Sequence, residues 1–105
     1  NYLPYYASFG SISYSVKSDK AGFAWGSNSL HSSIAASNAY CDADDCRPVV
    51  WVQGGCASIA VNHDGEALGL GYGVNRSIAN SNAMASCRLA SAAGRCKLRM
   101  FVCSY

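Results

Sequence analysis

The 105-residue chain has little charge, little proline and no long apolar run. Only 13% of its residues are charged, and Glu66 is its single glutamate. Because half of the residues are hydrophobic, a disordered chain is excluded. No apolar run approaches the ~20 residues of a membrane-spanning helix. The net charge of +2 is too small, and the basic residues too scattered, for a nucleic-acid-binding surface. Neither nucleic acid nor a membrane span is therefore expected.

Sequence signatures of metal binding are also missing. The six cysteines form no Cys-x2-Cys pair, and neither histidine lies close to a cysteine pair. An even number of cysteines in a chain of this size favours disulfides and an oxidising compartment. Six disulfide-bonded cysteines leave no thiol nucleophile, and no cofactor is expected. Because the chain opens on Asn1 and not on methionine, we expect a secreted, mature product whose leader has been removed.

A duplication takes up most of the chain. The segment SIAASNA at 33–39 returns as SIANSNA at 77–83, and the residues around both segments also match. This predicts one domain over 1–105, with an N-terminal arm at 1–8 and repeats at about 9–56 and 57–105. Each repeat has two strand-like segments around a turn, then a helix, then an apolar strand. One repeat is too short to bury its own apolar face, so the two are expected to share a core.

The sequence therefore predicts an α+β fold of two ββαβ repeats related by a pseudo-twofold axis, with an antiparallel sheet, two helices and three disulfides. The small residues of the repeated segment should let each helix lie close to the sheet. The spacing predicts two inward helix stripes, Leu30, Ile34 and Cys41 in the first repeat and Ala79, Ala83 and Cys87 in the second. Four aromatic residues at matched strand positions are expected to be buried, namely Trp25, Trp51, Tyr72 and Phe101.

The symmetry and the strand lengths restrict how the cysteines pair. A cysteine at one end of an extended strand lies too far from its other end for a disulfide. A short loop from helix end to strand start allows Cys41–Cys46 and Cys87–Cys96. Cys56 and Cys103 remain, and we interpret them as equivalent positions that meet at the two-fold axis and link the repeats.

Two polar clusters are candidate chemical sites. His63, Asp64 and Glu66 in the segment NHDGE have the side chains for acid–base hydrolysis, although a hairpin turn has the same composition. The carboxylates of CDADDC, at 41–46, are too few and too close together for a calcium loop, so a solvated turn is favoured. The glycine-rich segment GLGYG, at 69–73, lacks the spacing of a phosphate-binding loop and predicts a packed strand.

Aromatic residues are the main candidates for binding. Tyr2, Tyr5 and Tyr6 precede the first repeat and have no counterpart in the second. They are expected either to cover an open edge of the core or to form an arm that contacts a partner. His63 and Asp64 are further candidate contacts. A flat aromatic surface that included Trp25 or Tyr72 would indicate carbohydrate binding instead.

The order of short motifs along the chain resembles the family called domain of unknown function DUF4189. The motifs that carry the resemblance are Phe9-Gly10-Ser11-Ile12-Ser13-Tyr14, Ala24-Trp25-Gly26, Cys41 with Cys46-Arg47-Pro48-Val49-Val50-Trp51, Cys56-Ala57-Ser58-Ile59-Ala60-Val61, and Phe101-Val102-Cys103. The resemblance implies a small secreted protein, mostly found in bacteria, and no established chemistry.

The function hypothesis is a secreted binding or effector protein that acts on a macromolecular partner, a protein or a glycan, without catalysis. One alternative is a small secreted hydrolase, a nuclease or a wall-acting enzyme, that uses His63 with Asp64 or Glu66. The other alternative is a carbohydrate-binding module.

Overall fold

Two consecutive ββαβ units make up the fold, as the sequence predicts. A computed structural model describes residues 8–62, 67–90 and 95–104. In chain order the elements are β1 (Phe9–Ser15), β2 (Lys20–Ser27), α1 (Leu30–Cys41), β3 (Arg47–Gln53), β4 (Cys56–Asn62), β5 (Ala67–Gly73), α2 (Arg76–Ala90) and β6 (Lys97–Cys103). Polar residues cap both helices: the hydroxyl of Ser29 accepts a hydrogen bond from the backbone N–H of Ser32, and the side-chain oxygen of Asn75 accepts one from the backbone N–H of Ile78.

Each unit folds into its own three-stranded antiparallel sheet, with strand orders β2-β1-β3 and β5-β4-β6. The two sheets face each other, and each helix packs on the outer face of the sheet of its own unit. The two sheets match closely in strand pairing: Ser11 of β1 lies opposite Trp51 of β3, and Ser58 of β4 lies opposite Phe101 of β6. The first two strands of each unit pair antiparallel, as the predicted hairpins require, with a shift of register near Phe9 in the first unit and a regular ladder in the second.

The main hydrophobic core lies between the two sheets. The central strands alternate, so that Ile12 and Tyr14 of β1 face Ile59 and Val61 of β4 across this core. The opposite faces of the same strands lie under the helices, which leaves β4 buried along its whole length. The buried members of this core are Ile12, Tyr14, Val50, Ala57, Ile59, Val61 and Val102.

The helix α1 contacts its sheet through serines, and the predicted stripe of Leu30, Ile34 and Cys41 was wrong in its first two members. Its buried residues are Ser33, Ser37 and Cys41. A buried hydroxyl is tolerated only when it is hydrogen-bonded, and β1 supplies the partners. The Ser11 hydroxyl donates to the Ser33 carbonyl at 2.9 Å, and the hydroxyl oxygens of Ser13 and Ser37 lie 2.8 Å apart. The small-residue contact between helix and sheet is confirmed here.

The predicted stripe of α2 is confirmed, but the repeated heptapeptide is out of phase with it. Ala79, Ala83 and Cys87 are buried against the second sheet. Their counterparts in α1 are Ser33, Ser37 and Cys41, whereas the matching letters would pair Ser37 with the exposed Ser81. The identity of the two heptapeptides therefore does not reflect equivalent positions in the packing.

The three disulfides have the predicted pairing, Cys41–Cys46, Cys56–Cys103 and Cys87–Cys96. The interpretation of Cys56 and Cys103 as symmetry-related was wrong. They lie directly opposite each other on the neighbouring strands β4 and β6, and in the first unit the same ladder position is occupied by Phe9 and Gln53. The bond therefore closes the second sheet and does not join the two units.

Candidate binding groove at the edge of the two sheets

A groove of about 520 Å³ opens where β2, an outer strand of one sheet, approaches β6, an outer strand of the other. We call it the β2–β6 groove. Its walls are apolar except for one guanidinium, and its residues are Phe23, Trp25, Arg99, Met100, Phe101, Val102 and Cys103. The groove therefore combines residues from both units.

The matched aromatic residues are exposed, which contradicts the prediction that they are buried. The exposed fractions are 62% for Trp25, 53% for Tyr72, 45% for Trp51 and 40% for Phe101. Trp51 and Phe101 lie opposite Ser11 and Ser58, on the sheet faces that carry the helices and not on the faces of the core. Each helix packs mainly on the first two strands of its own unit and contacts the third strand much less. Trp51 of β3 and Phe101 of β6 are consequently left at the surface.

Two arginines of the second unit border the groove. The guanidinium of Arg76, at the start of α2, lies over the ring of Phe101 at 5.1 Å from its centroid. Arg99 reaches across to the β1–β2 turn, where it donates to the carbonyl of Asp19 at 2.7 Å and to its carboxylate at 3.3 Å. Asp19 also accepts a hydrogen bond from the hydroxyl of Tyr14 at 2.6 Å. This network fixes one end of the groove.

The surroundings of Tyr14 favour the neutral form of its hydroxyl. Burial, and then the hydrogen bond to Asp19, raise its pKa from 10.0 to about 12, because both favour the neutral hydroxyl. The neutral Tyr14 hydroxyl contributes fully to the free energy of unfolding at pH values below the pKa of tyrosine in the unfolded chain. This contribution is lost as the pH rises through the pKa of Tyr14 in the folded protein. The absorbance of tyrosinate in the folded protein should include a step near pH 12 that is missing in Tyr14→Phe. Identical increases in absorbance at high pH for the two proteins, after allowance for the one tyrosine removed, would contradict the prediction.

The two units differ in charge. Residues 56–105 contain five basic and two acidic residues, whereas residues 8–55 contain three basic and four acidic ones. Within the described part of the second unit every formal side-chain charge is positive, and Arg76 and Arg99 are both at the groove. The described acidic residues lie in the first unit, none of them lines the groove, and Asp19 is paired with Arg99. The environment of the groove is therefore positive.

The binding residues predicted from the sequence lie outside the described residues. This holds for Tyr2, Tyr5 and Tyr6 of the arm and for His63 and Asp64, together with Glu66 of the same segment. Of the aromatic residues weighed for carbohydrate binding, the structure places Trp25 in the groove, and Tyr72 at the matched position of β5.

The acidic turn after α1 has a structural role, because it ends the helix and is hydrogen-bonded to β1. Asp42 adopts the left-handed conformation that ends the helix, and its backbone N–H donates to the Asn38 carbonyl. Asp45 accepts a 2.6 Å hydrogen bond from the hydroxyl of Ser15, and this bond lowers its pKa below the ordinary value. These contacts connect the loop to β1, in agreement with its interpretation as a turn.

The glycine-rich segment GLGYG lies in β5, as predicted. A Cβ atom added to Gly69 would lie 2.3 Å from the backbone of α2, so glycine is needed there for the close approach of helix and strand. Over the described ranges, no group of three or more His, Cys, Asp or Glu residues is placed to hold a metal ion. Among the described helices, none has the length and apolar character needed to cross a membrane.

The groove as a site is not evident from the sequence. Its residues Phe23, Arg99, Met100 and Val102 lie in strands whose composition is that of ordinary core strands. A usable signal was present in β6, which combines alternating positive residues with Met100 and Phe101, whereas the matched strand β3 is Val-rich.

Comparison with known proteins gives a family but no activity. No curated protein and no solved structure matches the chain. The model of the family described as domain of unknown function (DUF4189) matches residues 9–103, from the first residue of β1 to the last residue of β6. Because this match covers both ββαβ units and all six cysteines, the chain belongs to the DUF4189 family.

Proposed function

We propose that this chain is a small secreted binding protein that holds an apolar segment of a partner protein in the β2–β6 groove. The observation that carries the proposal is the exposure of Trp25 and Phe101, at 62% and 40%, in one groove with Phe23 and Met100. Large apolar side chains gathered at a surface are typical of interaction sites, and tryptophan is frequent among the residues that dominate binding energy.

The shape of the groove favours a protein segment over a sugar. A sugar ring stacks on an open aromatic face, whereas this groove is lined by five consecutive residues of one strand, Arg99 to Cys103, along which an extended protein segment can lie. The hydrolase alternative depends on His63, Asp64 and Glu66, which lie outside the described residues. The three disulfides support an extracellular location, because such bonds persist in oxidising compartments.

The test is a selection of displayed random peptides on the immobilised protein. Peptides that bind wild type should lose about tenfold or more in affinity for Trp25→Ala and for Phe101→Ala, since truncation of a central aromatic residue is costly. Leu89→Ala is the matched control, because Leu89 is 91% exposed on α2 and lies outside the groove. Peptides that bind all three variants equally would contradict the proposal.

A second experiment tests whether the groove binds carbohydrate. Wild type and the same variants are incubated with insoluble cellulose and peptidoglycan, and the bound fraction is measured. Retention that requires Trp25 and Phe101 would assign the groove to sugars and overturn the protein-binding function. If wild type and all variants are retained equally on the polysaccharide, the sugar binds elsewhere and not in the groove.

A further inference from the structure

The β2–β6 groove follows the free edge of a strand. Five consecutive residues of β6, from Arg99 to Cys103, line it. Since successive side chains of a strand point to opposite faces, a groove on one face would be lined by alternate residues only. The groove therefore runs along the backbone of β6 on the side away from β4, and β6 is the outer strand of its sheet.

The matched outer strand in the first unit is protected and β6 is not. Pro48 of β3 lies opposite Ser13, and the equivalent residue Leu98 of β6 lies opposite Ala60. Proline has no N–H, so within a sheet it is confined to positions whose nitrogen faces away from the neighbouring strand. It also prevents a further strand from pairing at that edge. Leucine at the equivalent position leaves the amide of β6 available for pairing.

The positive side chains near the free edge of β6 favour a partner segment that carries acidic residues. Arg76 lies over Phe101 in the groove wall, Lys97 starts β6 and is exposed, and Asp19 is paired with Arg99. An extended segment lying along β6 would pass between these positive groups. Carboxylates on the segment would be attracted there, whereas lysines would be repelled.

We propose that β6 takes up an extended, acid-flanked apolar segment of a partner protein as an additional strand of the second sheet. This inference rests on the proposed function and specifies how the segment is held. Backbone hydrogen bonds to β6 supply affinity, and apolar side chains at alternate positions occupy the space beside Trp25 and Met100.

The experiment uses the synthetic peptide Asp-Val-Thr-Val-Thr-Val-Asp, with binding measured by calorimetry at low salt. We expect it to bind about tenfold more tightly than the peptide with lysines at both ends. Methylation of alternate backbone nitrogens should weaken binding about tenfold or more, because it removes the strand hydrogen bonds. If the displayed peptides depend on Trp25 but methylation does not affect their binding, the binding function holds and the added strand is wrong.

Two variants test the edge itself. Leu98→Pro introduces the residue that β3 has at the equivalent position, so the fold should accept it. The affinity for the peptide should fall several-fold, because the backbone N–H of residue 98 is lost as a hydrogen-bond donor. Arg76→Gln should reduce the preference for acidic flanks, whereas Lys17→Gln, in the first unit, should not. A Leu98→Pro protein that is folded by circular dichroism and binds unchanged would overturn the proposal. So would a dimer of the chain that the peptide fails to dissociate, since the groove would then hold a second copy.

Discussion

Replacing Cys56 and Cys103 together with alanine should lower the free energy of unfolding by about 4 kcal/mol, which is the largest effect expected in this chain. The two cysteines are 47 residues apart in sequence. Their bond removes much of the freedom of the unfolded chain, and for a loop of this length the chain-entropy model gives about 4 kcal/mol. The loss should reach β4, the most buried strand, because β6 is held beside it by this bond. Urea denaturation of both proteins measures the difference.

The matched control is the double replacement of Cys41 and Cys46. These residues are 5 apart in sequence, and the same model gives about 2 kcal/mol for so short a loop. The two variants should therefore differ by about 2 kcal/mol. Equal losses would show that local strain or packing, and not loop closure, decides the contribution of each disulfide.

The second large effect is expected for Gly22→Ala, which should destabilise the protein by about 3 kcal/mol through overpacking. A Cβ atom at Gly22 would lie 2.3 Å from the backbone nitrogen of Cys41 and 2.4 Å from the carbonyl oxygen of Ser37. These are backbone atoms of α1 and cannot rotate away, so the whole helix has to move off the sheet. That movement also stretches the hydrogen bonds of the serines beneath it.

Gly10→Ala is the control for Gly22→Ala. Gly10 also lies within a strand of the first sheet, but a Cβ atom there would find its nearest neighbours at 3.4 Å, an ordinary contact. The melting temperature should fall strongly for Gly22→Ala and little for Gly10→Ala. A similar fall for both would mean that the flexibility of glycine, and not the close approach of α1, determines the cost.

The order of elements and the disulfides Cys41–Cys46 and Cys87–Cys96 could be predicted because they follow from local patterns. Hairpin signals and loop lengths are properties of short segments, whereas Cys56–Cys103 was left only by elimination. The buried stripe of α1 could not be predicted, since Ser33 and Ser37 are acceptable inside only once β1 has placed Ser11 and Ser13 beneath them. The apolar pattern pointed to Leu30 and Ile34 because it takes no account of such partners.

The candidate site was less predictable than the fold. The groove forms between β2 and β6, strands from different units, so that no single segment of sequence contains it. The exposure of Phe101 depends on which strands of its sheet the helix covers, which is a property of the assembled unit. Aromatic residues in apolar strands usually indicate burial, but α2 lies mainly on β5 and β4 and leaves this part of β6 at the surface.

The duplicated units use different chemistry under their helices, and this gives them different responses to temperature. The residues of α1 that face the sheet include two hydroxyls bonded to β1, whereas those of α2 at the same positions are Ala79 and Ala83. Contacts between apolar groups weaken on cooling, because the hydration of apolar surface carries a large heat capacity. The hydroxyl bonds beneath α1 lack that dependence. On cooling, the packing of α1 on its sheet should therefore keep its strength, whereas the packing of α2 should weaken. The two helices differ in this way although they occupy equivalent places in the two units.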